Sequence, residues 1–436
     1  MQANMRGRKT LVAGAALVVA SATLAACGGD SGGGAETETK DITVWTSMDT
    51  AVVDGLTSKT VAMAKAKGIN LKWERVDDIN KVLLPAIQSG SAPEIAIVPQ
   101  PGVVKTIVDT GEARSLDGVL DAANTDSLLP GLLDAGKVDG KQYAQVVSMN
   151  VKSLVFYNKQ AWAKAGYPTP ASLEELDALV DQIKADGGTP WCLGIESGGA
   201  TGWPATDWFE DLIMRVGSPE EYTQWVNHEI PFDSPVVREA AAKFEEYMFT
   251  PGNVPGGRKS IASTAFGDAG KPLFNADGPG CWMLKQGSFI VSPDFLGEAA
   301  NDPDANIGVF GFPPATTGGD NPVLGGGDLA VLLSDADAAK EVMNIIGSAE
   351  AGVEAAPSSS FLSPHSGFDA SLYPSETARS FSDVATGASV ILFDGSDAMP
   401  GEVGAGTFWS QITAWISDSQ DLDTTLKNID ESWPTS

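Results

Sequence analysis

Apolar and polar residues alternate over Asp41-Ile-Thr-Val-Trp-Thr46, the two-residue period of a half-buried strand. A helical run follows from Val52 to Lys67, and Gly68 closes it. Asn70 to Val76 reads as a second strand and Asn80 to Ser89 as a short helix. Glu94-Ile-Ala-Ile-Val98 is continuously apolar, the pattern of a strand inside a sheet. Strand, helix, strand, helix, strand at this spacing predicts right-handed βαβ units, a parallel sheet and the α/β class. Ligands on such sheets gather at the carboxyl ends of strands. Asp49 and Gln100 follow two of those ends, so both are site candidates. Plain turn residues would fit the same places.

Val103 to Gly111 and Ser115 to Ala123 read as helices of the same lobe. Asp139-Gly140 marks a hairpin tip, and strands follow at Val146–Asn150 and Ser153–Asn158. Then helices dominate. Ser172-Leu-Glu-Glu175 and Ser218-Pro-Glu-Glu221 are capping boxes, and Ser234-Pro-Val opens a third helix. Pro251 to Lys271 reads as a loop. Strands are expected at Gly280–Leu284, Ile307–Phe312 and Gly325–Leu333, and a helix at Asp337–Glu350. A helix carrying Phe408, Trp409, Ile412 and Trp415 precedes the last one, Asp423–Ser432. There is no internal repeat.

One stretch stands out. Thr201 to Asp211 holds Trp203 and Trp208 among Asp207, Glu210 and Asp211, with Thr206 placed to cap a following helix. Flat rings beside acceptor carboxylates suit a ligand with an apolar face and a rim of hydroxyls, such as a sugar. The same rings also make an ordinary core, and both readings stand on the residues alone. Paired carboxylates beside Trp are equally the equipment of a glycoside hydrolase. Asp207 and Glu210 share one helix face, which suits a binding rim or a capping feature.

The formal charge of −29 opposes nucleic acid and anionic lipid surfaces as partners. His228 and His365 are the only histidines and share no ligand spacing, so no metal or other cofactor is expected. Dinucleotide, phosphate-loop and serine-hydrolase motifs are missing. Arg6, Arg8 and Lys9 precede an apolar run, Leu11 to Leu24, too short for a convincing span. It ends Leu24-Ala-Ala-Cys27, which resembles the lipobox of bacterial lipoproteins. That implies removal of 1–26, a lipid on Cys27 and a Gly-rich tether over 27–40. With Cys27 so used, Cys192 and Cys281 of an exported chain are expected to pair.

Residues 41–434 resemble the extracellular solute-binding proteins of ABC importers, and within them the maltose and α-glucoside type. The likeness rests on Ile42-Thr-Val-Trp45 through Asp49, Ser91-Ala-Pro-Glu-Ile-Ala-Ile-Val98 and Leu154-Val-Phe-Tyr-Asn-Lys159. Pro190-Trp-Cys-Leu-Gly194, Gly202-Trp-Pro-Ala-Thr-Asp-Trp208, Gly280-Cys-Trp-Met283, Asp394-Gly-Ser-Asp-Ala-Met-Pro400 and Phe408-Trp409 carry it further. The resemblance implies a periplasmic-binding-protein-like fold: two α/β lobes, a hinge crossed several times, and a ligand cleft between the lobes. The lobes would be 41–145 with 315–370, and 146–314 with 371–436. Crossings would fall near 130–145, 314–325 and 362–372. Trp282 and Trp409 would be stacking platforms with Trp203 nearby, and Asp49 and Gln100 hydroxyl partners. Trp45, Tyr157, Asp207, Asp328 and Asp397 complete the implied ligand set. Gln100-Pro-Gly lacks the carboxylate that some maltose binders carry there. The function implied is that of a monomeric, lipid-anchored, non-enzymatic receptor outside the bacterial cytoplasmic membrane. It would hand a sugar to permease subunits. A polyamine, peptide or metal-chelate receptor on the same scaffold, or an exported glycoside hydrolase, are the alternatives.

Overall fold

β1 (Lys40–Thr46), β2 (Ile69–Arg75) and β3 (Ile95–Val98) alternate with α1 (Thr50–Ala66) and α2 (Ile79–Ser89) in this computed structural model, which describes residues 40–434. The expected signal segment, Cys27 and all but the last residue of the tether lie outside the described residues. β1 pairs in parallel with β2 and with β3, as the spacing predicts. Asp49 and Asp78 start the two helices by accepting the N–H groups of Ala51 and Lys81. α3 (Pro101–Asp109) follows β3 with proline at its first position, where no N–H is needed.

The helix expected over Ser115–Ala123 does not form. Leu116 is buried there and its N–H bonds the Gln142 carbonyl at 2.7 Å, so pairing to the next hairpin outweighs a weak helical pattern. That hairpin is β4 (Lys137–Val138) and β5 (Lys141–Gln142), turning through Asp139 and Gly140 at positive φ. The remaining strands are β6 (Ala144–Val151), β7 (Leu154–Asn158), β8 (Leu284–Gln286), β9 (Ile307–Gly311), β10 (Pro322–Leu332) and β11 (Val390–Phe393).

β10 organises the larger sheet. One edge carries β6, antiparallel, along Gly325–Val331. The other edge is shared. β11 runs parallel to Pro322–Gly325, and β3 runs antiparallel to Leu329–Leu332. Between them Gly326, Gly327 and Asp328 have no strand partner on that edge among the described residues. The carboxyl ends of β3 and β11 approach this gap from opposite sides.

The second lobe is built on the antiparallel sheet β8-β7-β9. Around it lie α4 (Leu173–Ala185), α5 (Trp203–Val216), α6 (Pro219–Val226), α7 (Pro235–Met248), α8 (Gly395–Ala398) and α9 (Trp409–Ile416). Ser172 and Ser218 cap α4 and α6 as the sequence predicts. Trp191, Trp208, Trp225 and Trp415 fill its core. β8 starts later than expected because Trp282 and Met283 bond instead to the carbonyls of Thr189 and Pro190. The Cys192–Cys281 disulfide sits at that junction. The chain leaves the larger sheet after Val151, returns at Pro322 and leaves after Phe393. Two of these points lie beyond the expected crossings, because β6 and β11 belong to the larger sheet along their whole lengths.

Candidate ligand-binding site

The first turn of α5 lies beside the start of α9. Gly202 precedes it at φ 117°, and a Cβ there would stand 2.4 Å from the Trp409 carbonyl oxygen. Only glycine accepts both the backbone angle and the close approach. The helix begins at Trp203, so Thr206 lies inside it and does not cap it; its hydroxyl donates to the Trp203 carbonyl at 3.0 Å. The half-buried Trp203 ring meets Phe266 at 5.1 Å and Phe289 at 5.9 Å between centroids. Trp409 donates its indole N–H to Ser396 Oγ at 3.1 Å, and Ser396 donates to Asp394 at 2.7 Å.

Beneath these rings lies a buried charge cluster. Lys152, between β6 and β7, pairs with Asp207 at 3.2 Å and with Asp394, and its Nζ is 5.6 Å from the Trp203 ring centre. Oxygens of Asp207, Glu210 and Asp394 come within 4.8 Å of one another. That spacing suits a cation, and the Lys152 ammonium supplies one. Both Glu210 oxygens accept the N–H groups that open α8, from Gly395 at 2.8 Å and Ser396 at 3.0 Å. Glu210 therefore caps a helix other than its own. Burial, then repulsion from Asp394, pushes the Asp207 carboxyl well above its ordinary range. Burial opposes the charge on Asp394 too, but Lys152 and the surrounding donors outweigh it and hold that carboxyl low. Of the two, Asp207 therefore takes up a proton more readily than Asp394. Burial likewise opposes the Lys152 charge, and Asp207, Asp394 and Asp397 more than restore it.

Across the gap in β10, Gln100 donates to Asp397 Oδ1 at 2.9 Å and accepts from Asn80 at 2.8 Å. Since α3 packs on the larger sheet and α8 on α5 and α6, this bond links the two lobes. A Cβ on Gly102 would lie 2.7 Å from the Met399 carbonyl oxygen, so the two backbones nearly touch. A cavity of about 80 Å³ remains, lined by Gln100, Thr106, Ser396 and Asp397 among others. A Cβ on Gly326 would face the Lys152 stem at 3.4 Å, and Asp328, two residues along β10, shares that face. Burial raises Asp328 to about 7; burial, then Asp394, raises Asp397 to about 7.

The structure therefore brings together Gln100, Trp203, Asp207, Asp328, Asp397 and Trp409. It places the other candidates elsewhere. Trp45 bonds Glu74 at 2.8 Å on the sheet. Asp49 caps α1 and takes a hydrogen bond from Ser360 at 3.3 Å. Tyr157, Trp162, Tyr167 and Trp282 form an aromatic row with ring separations of 4.4, 5.4 and 4.8 Å. Tyr157 also lines a separate pocket of about 230 Å³ with Lys159, Gly308 and Thr377. Sequence reasoning missed Lys152, Ser396, Phe266 and Phe289. Lys152 did leave a signal, as a lysine set between two apolar strands.

The family of bacterial extracellular solute-binding proteins matches residues 53–353. This chain belongs to that family. The solute-binding protein is 36% identical to the osmoprotective compounds-binding protein GgtB of Synechocystis sp., over 96% of its own length and 98% of the relative's. It is 34% identical to the alpha-glucosides-binding periplasmic protein AglE of Rhizobium meliloti, over 85% and 81% of the two chains. Among solved structures it resembles the bacterial solute receptor AcbH, with a TM-score of 0.75, 22% identity, and 90% and 97% of the chains covered. That likeness shows the two-lobe fold of binding proteins, and membership of the extracellular solute-binding family places the protein outside the cytoplasm.

Proposed function

We propose that this protein captures a sugar, an α-glucoside or another di- or oligosaccharide, and delivers it to the permease of an ABC importer. The observation that carries this reading is the pairing of two half-buried rings, Trp203 and Trp409, with hydroxyl partners at a gap between lobes. A sugar's C–H face stacks on the rings, while its hydroxyls bond Asp397, Gln100 and Asp328. Buried acceptors left unpaired would reject analogues lacking a hydroxyl. The α-glucosides in AglE's name and the galactopyranose in AcbH's description support a sugar. The protein acts as a monomeric receptor rather than an enzyme, held to the outer face of the cytoplasmic membrane by lipid on Cys27.

The test is calorimetry and thermal shift against a panel of α-linked disaccharides, with polyamines and peptides alongside. One or more sugars should raise the melting temperature. A polyamine or peptide that does so while no sugar does overturns the reading, and release of free monosaccharide on long incubation would mark an enzyme. Trp203→Ala and Trp409→Ala should each weaken sugar binding by about ten-fold or more, the loss of one stacking face, with the fold retained.

A further inference from the structure

We propose that Lys152 is a positioning residue for ligand binding: its ammonium holds the α5 and α8 walls of the site together by balancing Asp207 and Asp394. This rests on reading the region of Trp203 and Trp409 beside the β10 gap as the sugar site.

Lys152 stands where the chain passes from β6 to β7. Its N–H bonds the Leu324 carbonyl at 2.8 Å, which fixes it to β10, and its stem crosses Gly326. From there the ammonium reaches Asp207 on α5 and Asp394 just after β11. Asp207 lies on the helix that starts with Trp203, and Asp394 accepts from Ser396, which holds the Trp409 indole. Both rings are therefore tied to one point charge. Among the described residues the neighbouring cations are committed to Asp211. Lys285, on β8, is committed to Asp211 at 2.7 Å and to the Asp207 carbonyl, and Arg215 pairs with Asp211 at 2.7 Å.

The groups facing Lys152 are Asp207 and Glu210 on α5, Asp394 and Asp397 around α8, and the Lys285 ammonium near its carbonyl. Without Lys152 the buried carboxyls must take up protons or separate. Uncompensated buried charge is costly, whereas neutral carboxyls can share hydrogen bonds. The ammonium is needed most at high pH, where protons cannot take its place.

The experiment uses the full chain and the disaccharide giving the largest thermal shift. For Lys152→Met, affinity by calorimetry should fall about ten-fold or more near pH 8 and return to within about three-fold of wild type near pH 5.5. Wild type should bind no worse at pH 8 than at 5.5, so the pH order reverses between the two proteins. Lys152→Met with Asp394→Asn removes one charge of each sign and should recover binding at pH 8. The ligand-free melting temperature should follow the same three-way pattern. Undiminished affinity of the single variant at pH 8 overturns the proposal. So does an equal loss at both pH values that the second substitution does not relieve. The melting data test the charge balance even if no sugar binds, so failure of the sugar assignment and failure of the lysine assignment are distinguishable.

Discussion

Asp328 and Asp397 face the gap in β10 with carboxyls that burial raises to about 7, helped at Asp397 by Asp394. A carboxyl whose folded pKa exceeds its unfolded one is stabilising only while protonated. Its contribution is full below about pH 4, declines as pH rises toward 7, and becomes constant above. Asp328→Asn should therefore raise the melting temperature by roughly 2–4 °C at pH 8 and leave it unchanged at pH 4, read by circular dichroism. A raised value at both pH values would mean that the gain is not electrostatic. A sugar hydroxyl donating to either carboxylate favours the ionised form. Binding should then release protons near pH 7, visible as different calorimetric enthalpies in buffers of different ionisation heat. At this scale the sequence was partly legible. That Trp203 and Asp207 lie together was readable because ring and acid sit on one helix. Lys152 was missed because its partners lie 55 and 242 residues away. Trp282 is a candidate only through the family resemblance, which does not say what surrounds the ring. It packs against Tyr167 and the chain at Gly188.

Among elements, the junction of α5 and α9 depends on Gly202. Gly202→Ala must accommodate a φ of 117° and an approach of 2.4 Å to the Trp409 carbonyl. We expect a loss of roughly 2 kcal/mol or more in denaturant unfolding, with weakened sugar binding because both rings move. Retention of wild-type affinity would show that the junction does not set ring placement. α9 itself continues directly from wide π turns at Glu402–Phe408, a local irregularity of the kind found at functional sites. Capping boxes at Ser172 and Ser218 were readable because donor and acceptor are neighbours in the chain. The start of α5, the position of β8 and the fate of Ser115–Ala123 were not. Each is decided by a backbone partner supplied from another part of the fold.

Over the whole molecule, the Cys192–Cys281 bridge closes a loop with a sequence separation of 89 residues. Removing it through Cys192→Ser with Cys281→Ser should cost about 3–5 kcal/mol of unfolding free energy. Trp203 and Asp207 lie within that loop, but their helix is also held from outside it, by Lys152 and by the close approach of Gly202 to Trp409, so sugar affinity at 25 °C should survive. Loss of binding with the fold intact would show that the bridge shapes the site. The parallel βαβ start and the helical second lobe were legible from periodicity. The place of β10 was not, because nothing in Gly325-Gly-Gly-Asp328 announces three separate strand partners.

That strand has a temporal consequence. β3 is made early, but its neighbour on β10 lies more than 200 residues further on, and β11 later still. The larger sheet cannot close until almost the whole polypeptide is present, and pairing at such separations is intrinsically slow. A chain threaded outward through a membrane benefits from that delay. It stays pliable while it is being passed through, and gains its rigidity only on the far side.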